Sequence, residues 1–142
     1  MSKGDQWEND ILKLLFNATS IANIADNAVS SPLTNLYASL HTADPIETGN
    51  QQSSETSYGG YARQPVLRTS GGWTVTANSV SPAVNIDFPQ CSSGTATITH
   101  WGVGTLVSGT GKLLYSGTVS PNISVSTGVI PRLTTASAIT ED

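Results

Sequence analysis

Hydrophobic positions along this chain change period once, near residue 35. Before that point the spacing is helical: Trp7, Ile11, Leu14 and Leu15 recur at i, i+4, i+7 and i+8, one face of a 3.6-residue period. Leu12 and Phe16 widen the face over more than half the circumference. Asp5, with Glu8 three residues on, supplies an N-terminal cap of the capping-box kind. Residues 17 to 34 keep Ile21, Ile24, Ala25 and Ala28 at helical spacing, but Asn, Ser and Thr interrupt them, so they read as a weak helix or an irregular arm ended by Ser31-Pro32. Two roles are open for the first helix. It packs on its own domain, or it docks on a neighbouring subunit through Trp7, Ile11, Leu14 and Leu15.

From Asn35 onward the period is two. Leu36, Ala38 and Leu40 alternate with Tyr37, Ser39 and His41, the pattern of a strand with one face on a core, and Asp44-Pro45 stops it. Residues 46 to 60 hold almost no aliphatic side chains and read as a long polar loop, a kind that in compact domains is functional or mobile. Further strands are expected over residues 61–68, 73–77, 83–88, 95–103, 112–119, 122–125 and 133–139, separated by Gly and Pro. Pro65 marks an edge strand or a bulge. About eight short strands spaced near ten residues apart predict a mainly β fold, an antiparallel β-sandwich or jelly roll with an N-terminal helix or arm. The division expected is 1–34 for helix and arm and 35–142 for the β domain. Trp73 and Trp101 each begin or end an alternating run and are expected in the interior or at a subunit interface.

Composition narrows the function classes. The chain has 142 residues and charged residues make up 11% of it, well below the roughly 25% usual for soluble domains. Serine and threonine fill about a quarter of it, against a smaller share in average proteins. A surface of neutral hydroxyls suits β structure and contact with other protein. The net charge is −4 and the six basic residues are scattered, whereas nucleic-acid binding needs clustered Lys and Arg. No nucleic-acid partner is expected. Nor is a membrane partner, because no run approaches the roughly 18 apolar residues that span one, and the amphipathic start does not read as a signal peptide. The single cysteine, Cys91, leaves no intramolecular disulfide and fits synthesis in a reducing cytoplasm.

Candidate chemistry is sparse. His41 and His100 are the two histidines, and neither stands in a nucleophile-elbow pattern. His100 is expected as a hydrogen-bonded, part-buried strand residue, and His41, beside Thr42 and Asp44 at a strand end, to make a side-chain-to-backbone bond in the turn. Two histidines and one cysteine without paired spacing do not make a zinc site. Gly109-Thr110-Gly111-Lys112 fails as a phosphate loop because Leu106 and Leu113 stand where glycine and a hydroxyl are needed. Gly102-Val103-Gly104 also lacks its third glycine; both segments read as bends between strands. Asp44, Glu47, Glu55 and Asp87 form no close acidic pair. The expectation is no catalytic residue, no metal and no cofactor.

The runs NLYASLHTADP, YGGYARQPV and TSGGWTVTANSVSPA, and most of the chain around them, resemble a family of small virion proteins of tailed phages. Its members are commonly labelled tail fibre proteins, and some resemble head-decoration (cement) proteins. The resemblance implies a structural protein of the virion, made in the host cytoplasm. One expectation is a homotrimer on the head surface that cross-links the major capsid protein. The alternative is a tail or fibre component that binds a host-surface receptor through the polar loop, with Tyr58 and Tyr61 as the aromatic residues near it.

Overall fold

A computed structural model describes residues 5–21 and 32–141 of the chain. Among them are one helix, α1 (Asp5–Asn17), and nine strands: β1 (Asn35–His41), β2 (Gln64–Leu67), β3 (Trp73–Thr76), β4 (Ser79–Pro82), β5 (Ile86–Asp87), β6 (Ala96–Gly104), β7 (Leu113–Val125), β8 (Arg132–Leu133) and β9 (Ile139–Thr140). The fold is mainly β, antiparallel, with its helix at the N-terminal end, as the change of period predicts. The strands form a four-stranded sheet in the order β2-β1-β6-β7, a three-stranded sheet β3-β4-β9, and the pair β5-β8. Pro65 lies in an edge strand, the place in a sheet where proline is tolerated. Most of the expected arm, residues 22–31, and the capping side chain of Asp5 lie outside the described residues.

By internal contacts the chain divides into two units. The first gathers α1, β3, β4 and β9; the second gathers β1 from Leu36 together with β5, β6, β7 and β8. In the first unit α1 packs on β3 and β4. Phe16 meets Trp73 edge to face with ring centroids 4.8 Å apart, a favoured aromatic geometry. The buried stripe of the helix is Glu8, Leu12 and Phe16, at i, i+4 and i+8, whereas Trp7 is 38% exposed and Ile11, Leu14 and Leu15 are half-buried. The side chains read from sequence as widening the face are therefore its centre.

The C-terminal end of α1 has no basic residue of its own. Arg68 supplies one: its Nε and Nη2 donate to the carbonyls of Leu15 (2.6 Å) and Leu14 (2.8 Å), and Nη1 donates to Leu33 O at 2.9 Å. A cation there satisfies last-turn carbonyls and complements the helix dipole. Burial pulls the Arg68 guanidinium below its ordinary pKa.

The structure corrects several sequence readings. Residues 79–82 form β4, not a connection, since Ala77 turns the chain with φ 52° and Val80 is buried at its centre. A single apolar side chain gave no alternation to read. Residues 112–119 and 122–125 belong to one strand, β7, whose register on β6 shifts between Ile98 and His100, with Val119 to Asn122 bulging out. The last expected strand is two short ones, β8 and β9. Gly102 and Gly104 lie inside β6 and are not bends. Trp73 and Trp101 are both interior, with 0% and 5% exposure.

Removing the ring that α1 contributes to its unit should be costly. Phe16→Ala is expected to destabilise the protein by about 3–5 kcal/mol. Chemical denaturation followed by tryptophan fluorescence measures it, because Trp73 is the ring that loses its neighbour.

Candidate functional site

In the second unit β1 is buried on both faces, because the long polar loop folds back over its end. Ser39 and His41, expected on an open face, are fully buried beside Leu36, Ala38 and Leu40. The loop is held by backbone bonds from Thr42 N to Ser54 O (2.9 Å) and from Thr56 N to Leu40 O (3.0 Å). Within it, Asp44 accepts from Ile46 N and Asn50 accepts from Gln52 N, each at 2.8 Å. Such local turns are the use to which Asx side chains are suited.

The loop's tether is Gln51, whose side chain is fully buried. Its Oε1 accepts from Leu106 N (2.9 Å) and its Nε2 donates to Leu106 O (3.3 Å), while its own N–H donates to Gly111 O (3.0 Å). The amide thus pairs with a backbone residue as a neighbouring strand would. Two glycines make room for it. A Cβ at Gly104 would collide with Gln51 Cδ, and one at Gly111 with Gln51 Oε1.

Beside this tether lies an ion pair. Arg63, nearly inaccessible, donates from Nε and Nη2 to the two Glu55 carboxylate oxygens at 2.7 Å each. The same guanidinium donates to Leu106 O (3.0 Å) and to Gly109 O (2.7 Å). Tyr61 Oη donates to Glu55 Oε1 at 2.8 Å and accepts from Leu40 N at 3.1 Å. Burial, then the adjacent carboxylate, drives the Tyr61 phenol far above its usual range. Tyr58 is buried, donates to Pro89 O at 2.9 Å, and has its phenol pushed up to about 12 by burial. Neither tyrosine is the exposed loop aromatic expected from sequence.

His41 Nδ1 lies 2.8 Å from Ser53 O and Nε2 lies 2.9 Å from Ser39 Oγ. A carbonyl accepts only, so Nδ1 carries the proton and Nε2 accepts from the Ser39 hydroxyl. Burial lowers the His41 pKa and keeps the ring neutral. The pair resembles a serine–histidine dyad in spacing, yet a carbonyl stands where an orienting carboxylate is needed and both side chains have no exposure. His100 is part-buried and bonded to Thr99 Oγ1 at 2.9 Å, as its position predicts.

Two clefts flank residues 55–58. One, of about 430 Å³, runs between Gln52, Tyr61 and Arg63 on one side and Val107 to Gly109 on the other. The second, of about 400 Å³, faces Thr42 and Ser93 to Ala96. Their walls offer hydroxyls, backbone amides and the exposed side chain of Val107. Among the described residues no cluster of three metal-ligating side chains occurs, and no helix is long and apolar enough to cross a membrane.

Compared with known proteins, residues 3–140 match the family model of the podophage GP4 fiber I protein gp80. The chain belongs to this fiber I family. It is accordingly a protein of the tailed-phage virion, of a family labelled for a fibre. No curated protein matches the chain.

The chain brings together residues that sequence reasoning left apart. Glu55 and Arg63 lie eight positions apart, and Gly59-Gly60 between them turns the chain so that they meet. That glycine pair was the available signal. Gln51 had none, since a glutamine in a polar loop looks solvated until Gly104 and Gly111 are seen to leave space for it. Trp7, Ile11, Leu14 and Leu15 are in the other unit, on α1.

Two outcomes follow for this site. Gln51→Ala leaves the Leu106 N–H without its side-chain partner, while the Leu106 carbonyl keeps its bond from Arg63; an unpaired, desolvated N–H costs about 1–3 kcal/mol. A lowered melting temperature by calorimetry is expected, with Gly104→Ala similar because its Cβ displaces the same amide. His41 is the group whose titration should show. Its folded pKa lies below the ordinary 6.5, so the unfolded chain takes up the proton first as pH falls. Stability is full above that value and declines as pH drops through it toward the folded pKa. Glu55 favours the charged ring, while Arg63 and His100 oppose it. Unfolding midpoints measured across this range should fall for the natural protein and stay flatter for His41→Gln.

Proposed function

We propose that this chain is a non-enzymatic structural subunit of a podophage fibre, working by contact with other virion proteins. The match to the fiber I family along residues 3–140 carries the reading. The chemistry of the clefts supports it. Glu55 is neutralised by Arg63, the Tyr61 hydroxyl is committed to Glu55, and His41 is sealed against Ser39, which leaves no carboxylate pair or open nucleophile–base pair at either cleft. A chain with only 11% charged residues is suited to protein partners held by hydroxyls and apolar contacts.

In this reading the protein is a homo-oligomer in the virion, with no nucleic-acid, membrane or cofactor partner. Trp7, the exposed end of the helix face, contacts a neighbouring virion subunit together with the half-buried Ile11, Leu14 and Leu15. Receptor binding through the 46–60 loop is less favoured for a fibre subunit of this kind, because Tyr58 is buried and the hydroxyls of Tyr58 and Tyr61 are bonded to Pro89 O and Glu55. A second reading is head decoration, with the major capsid protein as partner. The low charge favours it equally, and the exposed Trp7 suits docking on a shell.

Labelling the protein on intact particles separates the two. Density confined to the fibres supports the first reading, and repeated density over the head overturns it in favour of decoration. The oligomer should also survive high salt, because screening weakens only exposed ion pairs. Light scattering at low and high ionic strength checks this, and dissociation on adding salt would show that charge holds the subunits.

A further inference from the structure

The turn between β6 and β7 is gripped by its backbone. Arg63 donates to the carbonyls of Leu106 (3.0 Å) and Gly109 (2.7 Å), and Gln51 bonds both the N–H and the carbonyl of Leu106. Thr105 N donates to Lys112 O at 3.2 Å and Lys112 N to Thr105 Oγ1 at 3.1 Å, which closes the turn at its base. The side chains that grip it are buried, yet Leu106 is 47% and Val107 59% exposed. Exposed aliphatic side chains scattered singly are normal and call for no explanation. Two in succession on a turn fixed from within are a different case. Their backbone is already ordered by folding, so a contact made there loses little further entropy.

Val107 also stands at the rim of the cleft of about 430 Å³, with Ser108 and Gly109 on the same wall. The wall formed by residues 52–63 includes three small exposed residues, Ser57, Gly60 and Ala62, which leave space for a guest side chain. Glu55 and Arg63 are the charged residues of this cleft, and they neutralise each other. An apolar guest therefore strands no charge. Two copies of this surface also meet without like-charge repulsion, although each chain carries a net charge of −4. One surface thus holds an apolar projection and, beside it, a cavity able to take such a projection.

We propose that two copies of this chain pair about a two-fold axis, with Val107 of each entering this cleft of the other. The projection and the opening share one rim, so a single partner meets both at once. That is the isologous arrangement, in which the same patch serves both subunits and the contact closes at two copies. A different protein would need its own projection and cavity set side by side, whereas a second copy already has both. Leu106, next to Val107 in the chain, adds exposed apolar surface to the contact. The inference rests on the homo-oligomer reading above and names its contact: a pair in place of the trimer expected from the sequence.

Sedimentation of the full-length protein tests it, and a dimer is expected. Val107→Asp puts a carboxylate where the guest side chain enters, and should give a monomer with an unchanged melting temperature. Ala62→Trp fills the receiving cleft and should do the same. Ile130→Asp, at a 54% exposed aliphatic residue outside the cleft, should remain a dimer. Mixing the two monomeric variants is the sharper test. In a mixed pair both changes fall in one of the two contacts, and the other keeps a natural Val107 facing a natural Ala62. The mixture should therefore associate where neither variant does alone. A natural protein that is monomeric at all concentrations overturns both the contact and the homo-oligomer reading. An oligomer larger than two, or one that persists in either folded variant, overturns the contact and leaves that reading standing. A mixture that stays monomeric, or a monomeric Ile130→Asp, does the same. If one variant does not fold, the other, compared with Ile130→Asp, decides.

Discussion

A buried guanidinium has to be fully answered, and Arg63 is the group around which the second unit is arranged. Its charge is met by both oxygens of Glu55, and its remaining bonds go to the carbonyls of Leu106 and Gly109. Breaking a buried pair on one side strands a charge and costs several kcal/mol, about 3–5 in measured cases. The 46–60 loop, the Gly59-Gly60 turn and the turn between β6 and β7 are thus fixed by one side chain. Tyr61 extends the arrangement to the backbone of β1, and Gln51 repeats it without charge. What is polar in sequence in this loop is, in space, an interior made of hydrogen bonds.

This explains which parts of the fold were legible from sequence. Period told helix from strand, because α1 and β1 each bury an apolar row whatever else surrounds them. It did not tell which helix positions lie deepest. Leu12 and Phe16 are central because Trp73 stands opposite Phe16, a long-range fact that no local window contains. Strand β4 escaped because its pairing with β3 is set by the turn at Ala77 and its single buried aliphatic, Val80.

The candidate site was less legible, for a related reason. Long polar loops are read as solvated because isolated Ser, Gln and Glu prefer water, and that inference fails when partners are supplied from distant positions. Glu55 and Arg63 were each seen and set aside as dispersed charges. His41 was read correctly as bonding to backbone, but its acceptor is Ser53 in the loop and its second partner is Ser39 on its own strand. The helix offers the same contrast, since its C-terminal cation comes from Arg68 rather than from its last turn.

The Gln51 amide has a consequence for how this family can vary. Its side chain occupies the space that side chains at 104 and 111 would need, and it bonds both the N–H and the carbonyl of Leu106. The three positions therefore constitute one volume shared by three residues. A relative carrying a smaller residue at 51 has room for alanine or serine at the two glycines, and a relative retaining glutamine does not. Substitutions here should move as a set, so that covariation among positions 51, 104 and 111 would mark the chains that keep this loop folded back on β1.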